Sequence, residues 1–427
     1  MTIERFGTCA YGNGDIVHTP FIRAGNWIFG TGLRATKPDG LMEPAVLREG
    51  FPLAAPPKPQ REAEHIFRRM ASLLEDAGGS ISRVARLDQY YTDALSVDPY
   101  HVARKEALSG QVAPSTSIIV SQLMNLNADM DVQVMAPTKA SGYTVDRFEL
   151  SGLAAPTTSG YAPCVRVGNM VFVAGQLARD QSGDIAAEAM LPPGQLWNGT
   201  RIKRETKFLI EKRLKPALEA GGSELDLVLK AQVYLSREAD FPAFWQVWSQ
   251  AFGAGVPPTT VVPVNHPAFG SLNAGIEVNV VAAHESARSG IRDVVCDVAL
   301  VGDGMIPART FDNLLFVAGL MAIDGNGLIA QARPDATAPF YYDSARAQLA
   351  DILVKADKIF KAAGSDLANV VRALQFHTDL GLFHRAFGEW QRAIGGAGVP
   401  FSAVQVAPGL FVPGASLLVD LWGYTGG

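Results

Sequence analysis

The clearest alternation of apolar and polar residues lies in the middle third of the chain. The stretch CVRVGNMVFVAG, from Cys164 to Gly175, alternates on both sides of Gly168 and Asn169, two residues that tolerate a positive φ. This pattern predicts a β-hairpin with its turn at that pair. Downstream, LVLKAQVYL, TTVVPV and GIEVNVVAA are short apolar runs rich in β-branched residues, and they predict three further strands.

Two segments between these strands carry apolar residues at helical spacing. The first, ETKFLIEKRLKPALEAGG, ends in the pair Gly221-Gly222, which is typical of a helix C-terminus. The second, ADFPAFWQVWSQAFG, places five aromatic residues on one face: Phe241, Phe244, Trp245, Trp248 and Phe252. The predicted order is ββ-α-β-α-ββ. This order indicates an α+β fold in which two helices cover one face of a sheet.

The same unit occurs three times. NWIFGTG from Asn26, NMVFVAG from Asn169 and NLLFVAG from Asn313 share one motif, spaced by 143 and 144 residues. Further residues recur downstream: Ala77, Ala220 and Ala363; Gln89, Gln232 and Gln375; Pro114, Pro257 and Pro400. Repeats of this length are domains rather than solenoid elements. We therefore predict three tandem domains of one fold, at residues 1–145, 146–288 and 289–427.

One face of each predicted sheet is left uncovered by its helices. Three such faces in one chain can bury one another in a closed ring, as the subunits of a cyclic trimer do. We therefore predict an intramolecular pseudo-trimer. A monomer and a higher assembly of such rings both remain open.

Composition narrows the class of partner. The chain has 427 residues, of which 48% are hydrophobic and 19% charged, as in an ordinary globular protein. A net charge of −5 argues against nucleic acid or an anionic membrane as a partner, and we find neither a signal peptide nor an apolar run of membrane-spanning length. Cys9, Cys164 and Cys296 fall in different repeat positions, so we expect free thiols and a cytoplasmic location. No spacing suits a metal site, and we expect no metal and no cofactor.

Several of these segments closely resemble one known family. GNMVFVAGQ, the turn SGDI, the helix end EAGG, KAQVYLSREADFPAFWQVWSQAF and IEVNVVAA are similar to the reactive intermediate deaminase (RidA/YjgF) family. The resemblance covers essentially all of the middle repeat and, more weakly, the other two. It implies chorismate-mutase-like, RidA-type domains that associate as trimers with a ligand cleft at each interface. It also implies hydrolysis of reactive enamines and imines derived from amino acids, without metal or cofactor.

The position of the family's arginine is the main departure. In the family this arginine holds the substrate carboxylate. The resemblance places it at Ser115 in APSTSIIV, at Thr259 in VPPTTVV and at Phe401 or Ser402 in VPFSAVQV. No repeat keeps the arginine, so we do not expect the usual imine hydrolysis. Ser117 adds another hydroxyl to this segment of the first repeat.

A family glutamate on the last strand orients the attacking water, and the pattern places its counterparts at Gln133, Asn279 and Asp420. Only Asp420 keeps a carboxylate. Its apolar neighbours would raise its pKa toward that of a general base. The alternative is a strand residue that faces solvent or bonds to the backbone.

The family's cleft tyrosine is kept as Tyr161, whereas His18 and Met305 replace it in the other repeats. His18 is either an acid or base near neutral pH or a surface histidine in a loop. The glycine of the segment that offers backbone N–H groups to an oxyanion is kept in every repeat, as Gly32, Gly175 and Gly319.

Two functions of different class follow. The first is a cofactor-free hydrolase or deaminase acting on an imine, enamine or amide-like C–N substrate in a cleft between repeats. In it, Asp420 would be the general base and Tyr161 or His18 would position or protonate the substrate. The second is a non-catalytic protein that binds a small molecule or regulates, which the missing arginines permit. The sequence leaves the substrate and the active cleft open.

Overall fold

The computed structural model describes residues 3–11, 14, 16–47, 56–153, 158–192, 194, 200–253, 255–265, 267–338 and 343–426. The first third contains β1 (Glu4–Phe6), β2 (Cys9–Tyr11), β3 (Ile16–His18), β4 (Phe21–Ala24), β5 (Trp27–Leu33), α1 (Lys58–Asp76), β6 (Arg86–Tyr91), α2 (Val97–Ala107), β7 (Ser115–Ile119), β8 (Gln122–Leu123) and β9 (Met130–Pro137).

The middle third contains β10 (Val145–Phe148), β11 (Cys164–Val167), β12 (Met170–Gln176), α3 (Thr200–Leu209), α4 (Lys215–Ala220), β13 (Val228–Leu235), α5 (Phe241–Phe252), β14 (Thr259–Pro263) and β15 (Ile276–Ala283). The last third contains β16 (Arg292–Val294), β17 (Ala308–Phe311), β18 (Leu314–Val317), β19 (Ile323–Asp324), β20 (Gly327–Leu328), α6 (Ser344–Ala362), β21 (Val370–His377), α7 (Phe383–Ile394), β22 (Phe401–Gln405) and β23 (Leu417–Tyr424).

Three large sheets share one strand order. They run β1-β4-β5-β9-β6-β7, β10-β11-β12-β15-β13-β14 and β16-β17-β18-β23-β21-β22, and β8 extends the third sheet. The last pair of each six is parallel, and the other neighbours are antiparallel. The α+β class and the order ββ-α-β-α-ββ are confirmed. Each sheet also has an edge strand, β1, β10 or β16, that the apolar pattern did not predict.

The helices pack in pairs, α1 with α2, α3 with α5 and α6 with α7. The long helix predicted in the middle third is interrupted, since a π turn at Ile210–Leu214 separates α3 from α4. Pro216 lies at the start of α4. A proline inside a helix has no N–H and its ring crowds the carbonyl four residues earlier, so the wider turn just before it relieves this conflict.

The helix-free faces of the three sheets pack against one another. One apolar cluster contains residues from all three, and edge-to-face ring contacts between sheets join Trp27 with Phe172 and Phe29 with Trp422. Aromatic side chains bury large areas, and edge-to-face pairs add about 0.5–1.5 kcal/mol each beyond that burial. The buried aromatic contacts between the sheets therefore stabilise the fold in the same way as contacts inside a hydrophobic core.

The order of contact between the sheets is cyclic. Isolated parallel bridges pair Val112 with Tyr161, Val256 with Met305, and Val399 with His18. Each bridge joins one third of the chain to the next, and the last third to the first. Where the sheets converge, Tyr90, Tyr234 and Phe376 occupy equivalent positions and contact one another, with ring centroids 6.5, 6.0 and 6.5 Å apart.

Within the described ranges, no helix has both the length and the apolarity needed to cross a membrane. Cys9, Cys164 and Cys296 are free cysteines, as predicted.

Candidate functional site

The bridge between Val112 and Tyr161 lies beside a cavity, and strand register identifies the equivalent positions at the other two bridges, which we also call clefts. Asp131 pairs with Tyr90, Glu277 with Tyr234 and Leu418 with Phe376, so these three residues correspond. We call the cleft at Tyr161 the first cleft, the one at Met305 the second and the one at His18 the third.

The first cleft contains a cavity of about 180 Å³. Its lining includes four residues proposed from sequence, Ser115, Ser117, Tyr161 and Gly175. It also includes three charged residues that the sequence reasoning missed, Asp98, Arg179 and Glu277. Asp98 and the two serines come from the first third of the chain, and the other residues named here come from the second third.

Glu277 is the buried carboxyl group of this cleft. It lies on β15, is 5% exposed, and has no hydrogen-bond partner among the described residues. Burial raises its pKa to about 8, although the charge of Arg179 opposes this shift and that of Asp88 adds to it. The carboxyl is therefore mostly protonated at neutral pH. Its Oε1 lies so close to Gly175 that a Cβ there would overlap with it, so a larger residue at this position would displace the carboxyl group.

Tyr161 lines the same cavity, at the bridge to Val112. Burial raises the pKa of its phenol, so the group keeps its proton and can donate it in a hydrogen bond. The strand beside it, β12, has a register shift between Val173 and Gln176 that brings Gly175 to the cavity.

The opposite wall of the first cleft is polar and contains a buried arginine behind it. Arg104 donates from Nη1 to Ser115 Oγ at 3.0 Å and from Nη2 to the Ser159 carbonyl at 2.7 Å. His101 lines the cavity one helical turn earlier on α2. Burial, together with the charges of Arg104 and Lys105, lowers the pKa of His101 to about 3, so its imidazole is neutral.

The second cleft is apolar where the first holds its acid. Leu418 replaces the carboxylate, and Thr259 forms hydrogen bonds to neighbouring protein groups. Its N–H donates to Met305 Sδ at 3.3 Å, and its hydroxyl donates to the Pro257 carbonyl at 2.7 Å. Gly319 N–H donates to the Thr259 carbonyl at 3.2 Å, which draws the two walls together.

The third cleft is filled by its own side chains. Asp131 forms an ion pair with Arg34 at 2.5 Å and accepts a hydrogen bond from Ser402 Oγ at 2.9 Å. Phe401, at the arginine position, places its ring edge on His18, and its carbonyl oxygen lies against Gly32. Both charged groups of this cleft are therefore already satisfied.

His18 is buried in the third cleft, so both alternatives predicted for it, an acid or base near neutral pH and a surface histidine in a loop, are wrong. Its Nε2 lies 3.0 Å from the Thr31 carbonyl, which assigns the proton to Nε2. Burial and the charge of Arg34 lower its pKa to about 3.

Asp420 lies at the centre of the molecule, where the three sheets meet. It forms ion pairs with Lys230 at 2.6 Å and Arg372 at 3.3 Å, and accepts a hydrogen bond from Thr260 Oγ1 at 2.5 Å. Burial acts to raise its pKa, but the charges of Lys230 and Arg372 together hold that pKa below its usual value. The predicted rise of the Asp420 pKa is therefore wrong, and its carboxylate is bound to cations rather than presented to a cleft.

Gln133 and Asn279 belong to the same central layer. Gln133 accepts a hydrogen bond from Arg372 Nε at 3.2 Å. Asn279 accepts one from Arg86 Nη2 at 2.6 Å and donates to Thr116 Oγ1 at 2.8 Å. Arg86 and Arg372 also bind Asp88, at 2.9 and 3.1 Å. We call this set of buried polar residues the central layer; its members support the sheets and do not line the cavity of the first cleft.

Comparison with known proteins shows which family this chain is similar to. A family model described as Endoribonuclease L-PSP matches residues 152–284. A RutC family protein of Pyrococcus abyssi is 36% identical over 105 residues, which are 25% of this chain and 73% of that protein. The crystal structure of a putative endoribonuclease from Thermotoga maritima is 28% identical and covers 33% of this chain and 97% of its own, with a TM-score of 0.26. A chorismatase structure, 14% identical, covers 66% of this chain and 80% of its own, with a TM-score of 0.42.

Proposed function

The chain belongs to the RidA/YjgF family, which includes the RutC proteins, and we propose on this premise that it consists of three RidA-type domains with one active cleft. The domains are residues 1–145, 146–288 and 289–427, closed into a pseudo-trimeric ring. The shared strand order of the three sheets and the cyclic order of their bridges support this arrangement.

The proposed activity is cofactor-free hydrolysis of a small imine or enamine to a carbonyl compound and ammonia in the first cleft. One observation carries this proposal: a carboxyl group that is protonated at neutral pH, Glu277, lines a cavity together with Tyr161 and Gly175. A buried acid of this kind in a cleft is typical of acid–base catalysis. In the second cleft Leu418 stands at the position of the carboxyl group, and in the third cleft the Asp131 carboxylate is bound by Arg34 and Ser402.

The proposed reaction returns Glu277 to its starting state. The Glu277 carboxyl first protonates the imine nitrogen, or the β-carbon of an enamine, and becomes a carboxylate beside an iminium ion. The carboxylate then takes a proton from a water molecule whose oxygen forms a bond to the iminium carbon. This gives a carbinolamine and restores the acid. Proton transfer from Glu277 to the amino group breaks the C–N bond, ammonia leaves, and the hydroxyl proton returns to Glu277 as the carbonyl forms.

Tyr161 is proposed to donate a hydrogen bond to the oxygen that develops on the substrate carbon. Its phenol keeps its proton and lies in the same cavity as Glu277. Such a donor stabilises the oxygen as charge develops on it, an effect typically worth about 2.7–4 kcal/mol. An amide-like substrate is less well supported, because the hydroxyl of Ser115 accepts its hydrogen bond from a cation, Arg104, rather than donating to a base.

The test is turnover of imines made in solution by an amino-acid oxidase, followed as ammonia release or as the loss of imine to a trapping nucleophile. Wild-type protein is expected to accelerate hydrolysis, and Glu277→Gln to lose at least a hundredfold in kcat/KM. Leu418→Met, at the equivalent position of the second cleft, is the matched control and should retain full activity. No acceleration with any imine or enamine would refute the function, and binding without turnover would favour a non-catalytic role. A folded, fully active Glu277→Gln would refute the assignment of the acid.

A further inference from the structure

We propose that the substrate of the first cleft carries two anionic groups. One would bind at Arg179, and the other at Ser115 with Arg104 behind it. That the substrate is an imine or enamine rests on the proposed function. That it carries two anionic groups rests only on the charges of the cleft.

Among the described residues, Arg104 is a buried cation without a counter-ion. Its side chain is 0% exposed, its two hydrogen bonds within this part of the chain are to a hydroxyl and a carbonyl, and its Nε has no partner there. The arginines of the third cleft and the central layer differ, because Arg34 binds Asp131 and Arg86 binds Asp88. Burying an unpaired charge is costly, so a fully buried guanidinium normally has an anionic partner. The missing partner of Arg104 is assigned to the ligand.

Ser115 connects this charge to the cavity. Because its Oγ accepts from Arg104 Nη1, its own proton is free to be donated to a ligand oxygen in the cavity. Two further atoms on this wall, Ser159 Oγ and His101 Nδ1, are buried and have no hydrogen-bond partner in the described part of the chain. Buried polar atoms are rarely left unpaired, so unpaired atoms beside a cavity indicate a polar ligand there. The wall that lacks the family's arginine thus still offers donors backed by a positive charge.

A second cation lies on the other wall. Arg179 lines the cavity, is partly exposed, and forms no side-chain hydrogen bond or ion pair within the described residues. Arg213 lies behind it and donates to its carbonyl at 3.5 Å. Burial and the charge of Arg179 lower the pKa of the Arg213 guanidinium. Two positive groups are therefore held together on this wall, and no carboxylate of the described residues is bound to either.

The carboxyl groups of the cleft do not balance these charges. Glu277 is mostly neutral at pH 7, and Asp98 lies at the rim with its side chain 76% exposed, where water and salt screen its charge. The cavity of about 180 Å³ is smaller than the 300–1,000 Å³ typical of drug-sized ligands. A small dicarboxylate with its reactive carbon between the two carboxylates matches both the charge and the size.

The experiment measures binding of two 2-oxo acids that share a five-carbon chain, 2-oxoglutarate with two carboxylates and 2-oxopentanoate with one. Isothermal titration calorimetry of the full chain should show 2-oxoglutarate binding at least tenfold more tightly, with an affinity that falls as sodium chloride is raised. Arg179→Gln should remove most of this preference, and Ser115→Ala should reduce it. Arg385→Gln, an exposed arginine on α7, is the control and should leave it unchanged.

Equal affinity for the two acids, or an unchanged preference in a folded Arg179→Gln, would overturn the inference. Far-UV circular dichroism of each variant separates loss of binding from loss of fold. The proposed hydrolytic function and the proposed dianionic substrate can be refuted independently. Turnover of monocarboxylic imines without a preference for dicarboxylic ones would keep the function and reject the second anion. Tight binding of 2-oxoglutarate without hydrolysis of any imine would do the reverse.

Discussion

Glu277 is a carboxyl group that the fold keeps neutral, and Glu277→Gln tests this through stability. Its pKa is about 8 in the folded protein, against 4.5 for an ordinary glutamate. A group whose pKa is higher in the folded state contributes stability that is complete below the unfolded pKa and is lost as pH rises through the folded pKa. At about 1.4 kcal/mol per pH unit, wild-type protein should lose about 4 kcal/mol from this group between pH 5 and pH 8.

Glutamine has no proton to lose, so the variant escapes this loss. The free energy of unfolding from urea titration, followed by tryptophan fluorescence, should shift in favour of Glu277→Gln by about 4 kcal/mol between pH 5 and pH 9. Glu188→Gln, an exposed carboxylate, serves as the control and should differ from wild type by a small, constant amount across this range. If the difference between Glu277→Gln and wild type also stayed constant, the carboxyl would ionise as an ordinary one does, and the proposed acid would be lost.

Two further predictions concern the clefts. Arg34→Met leaves Asp131 buried without its cation and should lower the free energy of unfolding by about 3–5 kcal/mol, whereas adding Asp131→Leu should restore most of it; a single variant as stable as wild type would contradict the ion pair as a structural element. Gly175→Ala places a Cβ onto the Glu277 carboxyl and should abolish 2-oxo-acid binding in calorimetry, while Gly325→Ala, where a Cβ meets nothing within 4 Å, should bind normally. Normal binding by Gly175→Ala would show that ligands do not use the first cleft.

Periodicity in the sequence was sufficient for most of the fold. The alternation around Gly168 gave the β11–β12 hairpin, and the aromatic stripe from Phe241 to Phe252 gave α5. These signals are local, because each strand or helix buries one face of its own sequence. The edge strands β1, β10 and β16 are short and partly exposed, so they carry no comparable apolar signal.

Alignment of the repeats by spacing was wrong by one residue in the middle third, at Gln232 and at Pro257. The positions Arg86, Lys230 and Arg372 correspond by register, since they pair with Met135, Val281 and Trp422. Gln232 therefore corresponds to Asp88 and Leu374, and not to the glutamines at 89 and 375 that share its spacing. Counted from the shared alanine (Ala77, Ala220 or Ala363), the middle third has one more residue before this position than the other two. Register depends on pairing with another strand, so spacing along the chain does not reveal it.

The candidate acid was missed for a related reason. Asn279 was chosen on β15, but Glu277, two residues earlier on the same face, is the residue that reaches the cavity. Period-two alternation identifies the face of a strand and not how far along it the cleft lies. The equivalent positions hold Asp131 and Leu418, so a search for a carboxylate in this column would have found two. Arg104 could not be found this way, because its role depends on contacts across the fold.

The three sheets contribute different charged residues to the central layer, so one sheet cannot replace another there. The second sheet supplies Lys230 but only neutral partners, Gln232 and Asn279, and its lysine is neutralised by Asp420 of the third sheet. Three copies of the second sheet would bring three ammonium groups together with no carboxylate, at the desolvation cost that such charges carry. A homotrimer of that segment would therefore be destabilised at these residues. Its charges instead favour neighbours from its own chain over copies of itself in other molecules, and this opposes exchange of segments between chains.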